Sequence, residues 1–121
     1  GYNDSLSDFP ATEYRENIAD FITDIRTDLG KPLLPFSLAS TGHGGAGQSG
    51  ARLILTNSQL AITDAIQFPQ FDGNVTAKDT RPFWREFSVS PINASHHWYH
   101  NAETYYEIGE SLGNDMKGLL E

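Results

Sequence analysis

Leu33-Leu34-Pro35-Phe36-Ser37-Leu38-Ala39-Ser40-Thr41-Gly42-His43-Gly44-Gly45-Ala46-Gly47-Gln48-Ser49-Gly50 changes character once, after Ala39. The first seven residues form a short apolar run between turn signals. They read as a buried strand entered through Pro35. From Ser40 to Gly50, five of eleven residues are glycine and none is bulky and apolar. This is a loop leaving the C-terminal end of the strand, the end that faces the ligand crevice in open α/β sheets. His43 sits in that loop and, on composition alone, reads as a solvated loop histidine. Gly47-Gln48-Ser49-Gly50 looks like a nucleophile turn. The residues before it are loop rather than strand, so it reads instead as linker before a helix.

Working outward, Pro10 opens a helix that Gly30 ends and Pro32 keeps from resuming. Tyr14, Ile18, Phe21, Ile22, Ile25 and Leu29 mark its apolar face. Downstream, Arg52 to Ile66 reads as a second helix, although Leu53-Ile54-Leu55 alone also fits a strand. Asp72-Gly73 signals a turn, and Val75 to Lys78 reads as a second strand that delivers Asp79-Thr80-Arg81 to a loop. Pro82 to Phe87 is an aromatic-rich connection. A last helix runs from about Asn101 to Leu120, with Ala102, Tyr105, Gly109, Leu112, Met116 and Leu119 on one stripe. Gly109 and Gly113 on that stripe predict close approach to a sheet, or else a helix pair. Helices alternating with short strands give an α/β layered fold with a parallel sheet. Two strands make a poor sheet alone. The expectation is one domain over 1–121 whose sheet is completed by an upstream segment or a partner copy.

Eight basic residues against sixteen acidic ones give a net charge of -8. That argues against nucleic acid and against an anionic membrane as partners. No apolar run reaches the roughly 20 residues needed to span a bilayer. Without cysteine there is no disulfide, thiol nucleophile or thiolate metal site. Neutral substrates such as sugars or small esters remain.

The chemistry concentrates in Ser90 to Tyr106, which holds three of the four histidines, one of two tryptophans and three of five tyrosines. Pro91 and its turn formers place His96, His97 and His100 on a loop just before the last helix. Titratable imidazoles there meet solvent and substrate. A metal held by all three is disfavoured, because their spacing outside a helix does not present three imidazoles on one face. Trp98 and Tyr99 suit either stacking on a sugar ring or packing over the domain.

Four segments resemble a carbohydrate acetylesterase of the sialate-O-acetylesterase/acetylxylan-esterase type, within the SGNH-hydrolase superfamily. Gly1-Tyr2-Asn3-Asp4 is similar to its Gly-x-Asn-Asp block. Tyr14 to Leu34, with Asp24-Ile25-Arg26 and then Leu34-Pro35-Phe36, resembles its helix and next strand. Val75 to Arg81 resembles a strand ending in Asp-Thr-Arg. His97-Trp98-Tyr99-His100-Asn101-Ala102-Glu103-Thr104-Tyr105-Tyr106 resembles its catalytic-histidine block and terminal helix. The resemblance implies a three-layer α/β/α, flavodoxin-like fold and Ser-His-acid hydrolysis of acetyl esters on sugars, without cofactor or metal. It implies His97 as general base and Asn3 as oxyanion donor. The nucleophile-bearing Gly-Asp-Ser or Gly-Gln-Ser turn has no counterpart here. Ala94 stands where the superfamily often has an acid, and Asn93 is no substitute; Asp79 or Glu86 would have to orient the base. The expectation is therefore the C-terminal part of an esterase, inactive alone and prone to associate. The rival readings are a non-catalytic carbohydrate-binding or interaction module and a histidine-cluster metal-dependent hydrolase.

Overall fold

The computed structural model describes residues 2–121 and is α/β. Among them are three α-helices and a two-stranded parallel sheet. Helix α1 spans Asp8–Asp28. Ser7 is extended just ahead of it, and Pro10 lies in its first turn, where a missing N–H costs nothing. Gly30, at φ 60°, ends it. The Lys31 N–H reaches the Arg26 carbonyl (2.9 Å) and the Gly30 N–H that of Thr27 (3.1 Å), the paired bonds of a glycine-terminated helix.

Strands β1 (Phe36–Ala39) and β2 (Val75–Lys78) pair in register, Phe36 opposite Val75 and Ala39 opposite Lys78. Helix α2 (Gly50–Leu60) lies on the crossover between them. Alternation along a strand sends successive side chains to opposite faces. Phe36, Leu38, Val75 and Ala77 pack on the core formed by Ala19 and Ile22 of α1 with Ile62, Phe68 and Phe71. Ser37, Thr76 and Lys78 therefore point the other way. Helix α3 (Ala102–Leu120) covers that face, where Asp115 comes 3.9 Å from Lys78 Nζ. Ser37 Oγ and Thr76 Oγ1 are buried there without a hydrogen-bond partner.

Arg26 fixes the start of both strands. Its Nε donates to the Leu34 carbonyl (3.0 Å), and Nη2 donates to the same carbonyl (2.7 Å) and to Asn74 Oδ1 (2.6 Å). The guanidinium lies over the rings of Phe36 and Phe71. One cation thus ties α1 to the residues that lead into β1 and β2.

Several sequence expectations shift. Strand β1 starts at Phe36, because Leu34 closes a turn on Lys31 and Pro35 has no N–H to give a ladder; Leu33 is exposed. Helix α2 stops at Leu60, followed by a single 3₁₀ turn over Ala61–Thr63. The Asp64 carboxylate then accepts the Ile66 and Gln67 N–H groups, and Ile66 is left in solvent. On α1 the buried line is Ala11, Ala19, Ile22 and Arg26, so Phe21 and Leu29 face outward. On α3, Gly109 and Gly113 are exposed and no atom lies within 4 Å of where a Cβ would stand. Neither sheet nor helix approaches them; Thr104 is buried, and Leu112, Met116 and Leu119 are half-buried. Among the described residues, no helix is long and apolar enough to cross a membrane.

Phe71 is 1% exposed and joins the core to the Arg26 guanidinium. Phe71→Ala should destabilise the chain by about 3–5 kcal/mol, measured by urea unfolding; a loss below about 1 kcal/mol would contradict this packing.

Candidate functional site

The two strands end together at a buried clasp of hydroxyls. Ser40 N donates to the Lys78 carbonyl (2.9 Å), Thr80 N donates to Ser40 Oγ (3.0 Å), and Thr80 Oγ1 donates to the Ser40 carbonyl (2.7 Å). Gly42 N donates to Thr80 Oγ1 (3.1 Å). A Cβ at Gly42 would overlap Thr80 Oγ1 and the backbone of Arg81, which is why this position is glycine.

Beyond the clasp, the glycine loop is tied to α2 and folds back on itself. Gln59 Oε1 accepts both the Thr41 N–H (2.7 Å) and the Thr41 hydroxyl (2.9 Å). Gln48 Nε2 donates to the carbonyls of Thr41 (2.8 Å) and His43 (3.1 Å). Gly44 and Gly45 adopt φ 92° and 56°, and Trp84 packs against Gly45 where a side chain would sit. These ties bury His43 to 2% exposure, correcting the expectation of a solvated loop histidine. Its Nε2 is enclosed without a partner. Burial pushes the imidazole pKa down, and the Arg52 cation and His96 push it further in the same direction.

Tyr2 covers this histidine. Its ring lies 5.3 Å from that of His43 and 5.4 Å from that of His96. The His96 and His97 rings are 4.1 Å apart, and those of His97 and His100 are 5.7 Å apart. Asn3 follows Tyr2 in a 3₁₀ turn over Asn3–Leu6 and is exposed. The turn carrying Asn3 and the loop carrying His97 thus meet through Tyr2 and His96, and no hydrogen bond joins Asn3 to His97 among the described residues. Gly1, the first residue of the four-residue block, lies outside them.

The backbone around His97 is unusual. Trp98, Tyr99 and His100 all have positive φ (53°, 52° and 58°). Left-handed backbone costs about 1–2 kcal/mol per residue for L side chains. Three supports offset it. The Ala94 carbonyl accepts from both His97 N (2.9 Å) and Tyr99 N (3.0 Å). The Trp98 and Tyr99 rings pack on Trp84, and Tyr99 also packs on Phe87. The Tyr105 hydroxyl of α3 donates to the His97 carbonyl (2.8 Å). Trp98 and Tyr99 therefore pack against their own domain, the second of their two sequence readings. His97, His100, Ala102 and Tyr105 line an open depression of about 650 Å³.

Helix α3 is locked beside this loop. Asn101 caps it, accepting the Thr104 N–H while its amide donates to Val89 O and Ser90 Oγ. Thr104 Oγ1 donates to the Phe83 carbonyl, and Arg85 pairs with Glu103 and Glu107. The expected orienting acids are engaged elsewhere. Asp79 is clamped by Arg81, whose side-chain hydrogen bonds hold its pKa below the usual carboxylate value. Glu86 accepts from Trp84 Nε1 (3.0 Å). Ser49 stands at the N-terminus of α2, ten residues after β1 ends, not on a strand-to-helix bend. Among the described residues no three His, Asp or Glu side chains converge as metal ligands. Two features escaped the sequence: His43, hidden by a glycine-rich loop, and Tyr2, whose bridging role has no local signature.

Comparison with family models, curated proteins and solved structures finds no match.

His43 makes the site pH-dependent. Its pKa is lowered on folding, so the unfolded chain takes the proton first as pH falls. Its contribution to stability is complete above the ordinary value of 6.5 and is lost as pH falls from there through the folded-state value. Histidine NMR should find His43 titrating below 6.5, and His43→Gln should flatten the acid limb of the stability profile. Titration of His43 at or above 6.5 would contradict its burial.

Proposed function

We propose that this chain is the C-terminal part of an SGNH-type carbohydrate O-acetylesterase with a three-layer α/β/α fold. His97 acts as general base, and Asn3 donates to the oxyanion. The observation that carries the reading is the run of rings from Tyr2 through His96 to His97. It brings the Asn3 turn and the His97 loop to one corner, at the C-terminal ends of parallel strands where α/β folds hold their ligands. In the proposed reaction His97 takes the proton of a serine hydroxyl as it attacks the acetyl carbonyl. Asn3 stabilises the tetrahedral oxyanion, and the protonated imidazole gives its proton to the sugar oxygen as the C–O bond breaks. The imidazole then takes a proton from a water that attacks the acetyl-serine, and returns it to the serine as acetate leaves. The serine comes from a segment outside this sequence. The Tyr105 bond to the His97 carbonyl and the left-handed run behind it fix the backbone that carries the imidazole.

The coding sequence upstream of Gly1, expressed together with this chain, should hydrolyse acetylated xylose. His97→Ala should lower kcat by about 10⁴-fold or more, and Asn3→Ala by about 10²–10³-fold. The 121-residue chain alone should release acetate from an activated ester no faster than buffer. Turnover by the chain alone that Ser49→Ala abolishes, or full activity of the His97→Ala protein, would overturn the proposal.

The same reading has the two-stranded sheet completed by another segment or a second copy. Strands of four residues leave ladder groups open at both edges, and Leu6, Phe9, Phe21 and Leu33 are exposed. Light scattering at high concentration should therefore show self-association; a clean monomer would remove this part of the proposal.

A further inference from the structure

Arg26 binds the strand entrances with only two of its three nitrogens. Nε and Nη2 carry every hydrogen bond it makes among the described residues. Nη1 makes none. Arg26 is 6% exposed, yet Nη1 is not sealed away with the enclosed unpartnered atoms, so it reaches open space. The space that Arg26 lines is a cavity of about 370 Å³ at the C-terminal end of α1, walled by Thr23, Thr27, Pro32, Gln70 and Phe71. Among the described residues no carboxylate pairs with this guanidinium. Burial pushes its pKa down without an anion to restore it. A nine-tenths-buried cation that lines a cavity and keeps one N–H pair uncommitted has the chemistry of an anion site.

We propose that this cavity binds a small organic monocarboxylate with a flat apolar body. The carboxylate accepts from Arg26 Nη1, and the body lies against Pro32 and the Thr23 and Thr27 methyl groups. A phosphate dianion fits less well. Nη1 is the one cationic donor the cavity offers, and the carbonyl end of α1 is close by. The Thr23 and Thr27 hydroxyls give their protons to helix carbonyls and so offer no donors to a second charge. Leu34 and Asn74 precede β1 and β2, so the cavity lies at the opposite end of the strands from His97. The proposal is independent of the esterase reading.

The test is a ¹H–¹⁵N NMR titration of the 121-residue chain with benzoate, and with benzyl alcohol as its neutral counterpart. Benzoate should give saturable shifts at the amides of Thr23, Thr27, Gly30 and Gln70 and at Arg26 Nε–H, with benzyl alcohol binding about tenfold or more weakly. Gln70→Glu changes an exposed residue and sets a competing carboxylate in the cavity. It should weaken benzoate by about tenfold while the rest of the spectrum stays folded. Absence of saturable shifts at these amides, equal binding of the two ligands, or unchanged affinity in Gln70→Glu would each overturn the proposal.

Discussion

The fold depends on the guanidinium of Arg26. A four-residue parallel pair has few ladder bonds, and parallel strands gain less per residue than antiparallel ones. Something must hold the strand entrances in register before those bonds count. Arg26 does this by taking the Leu34 carbonyl and the Asn74 side chain in one planar fork, with Phe36 and Phe71 on its faces. The arrangement is expensive in desolvation, and its hydrogen bonds to carbonyls offset that only in part. Its value lies in geometry: a single rigid group fixes α1, β1 and β2 relative to one another.

At the other end of the strands the same task falls to neutral groups. Ser40 and Thr80 exchange hydrogen bonds with each other's backbone, fully buried, and Gly42 closes over them. Buried polar groups stabilise only when satisfied, and here each clasp hydroxyl has a partner. The glycine loop, the Asp79–Arg81 turn and the Trp84 segment all spring from this point. The histidine corner is therefore positioned by a clasp that contains no histidine.

How much of this the sequence revealed follows from the range of the interactions. Gly30 and Pro32 end α1 through local backbone chemistry, so that boundary was legible. The two strands and their parallel pairing followed from the order of elements. Arg26 was not legible as a buried residue, because a charged side chain on an amphipathic helix reads as solvated. Its burial depends on an asparagine 48 residues away. His43 was hidden in the same way: glycines suggested openness, while Gln59 of α2 ties down Thr41, Gln48 holds the His43 carbonyl and Tyr2 covers the ring. On α3, Leu112, Met116 and Leu119 of the expected stripe are half-buried, whereas Ala102, Tyr105 and Gly109 are exposed. Thr104 took the buried position, since its hydroxyl has the Phe83 carbonyl to bond. His97 and Asn3 were named through the family resemblance, and in the structure their chain neighbours His96 and Tyr2 stand ring to ring.

The left-handed run at Trp98, Tyr99 and His100 has a consequence for the order of assembly. These residues have no intrinsic preference for that conformation, so it cannot form early as a local nucleus. It becomes favourable only once α3 has docked and Trp84 is in place to receive the rings. A chain whose α3 is undocked lacks the Tyr105 hydroxyl that the His97 carbonyl accepts from, so the order of the imidazoles is tied to that docking.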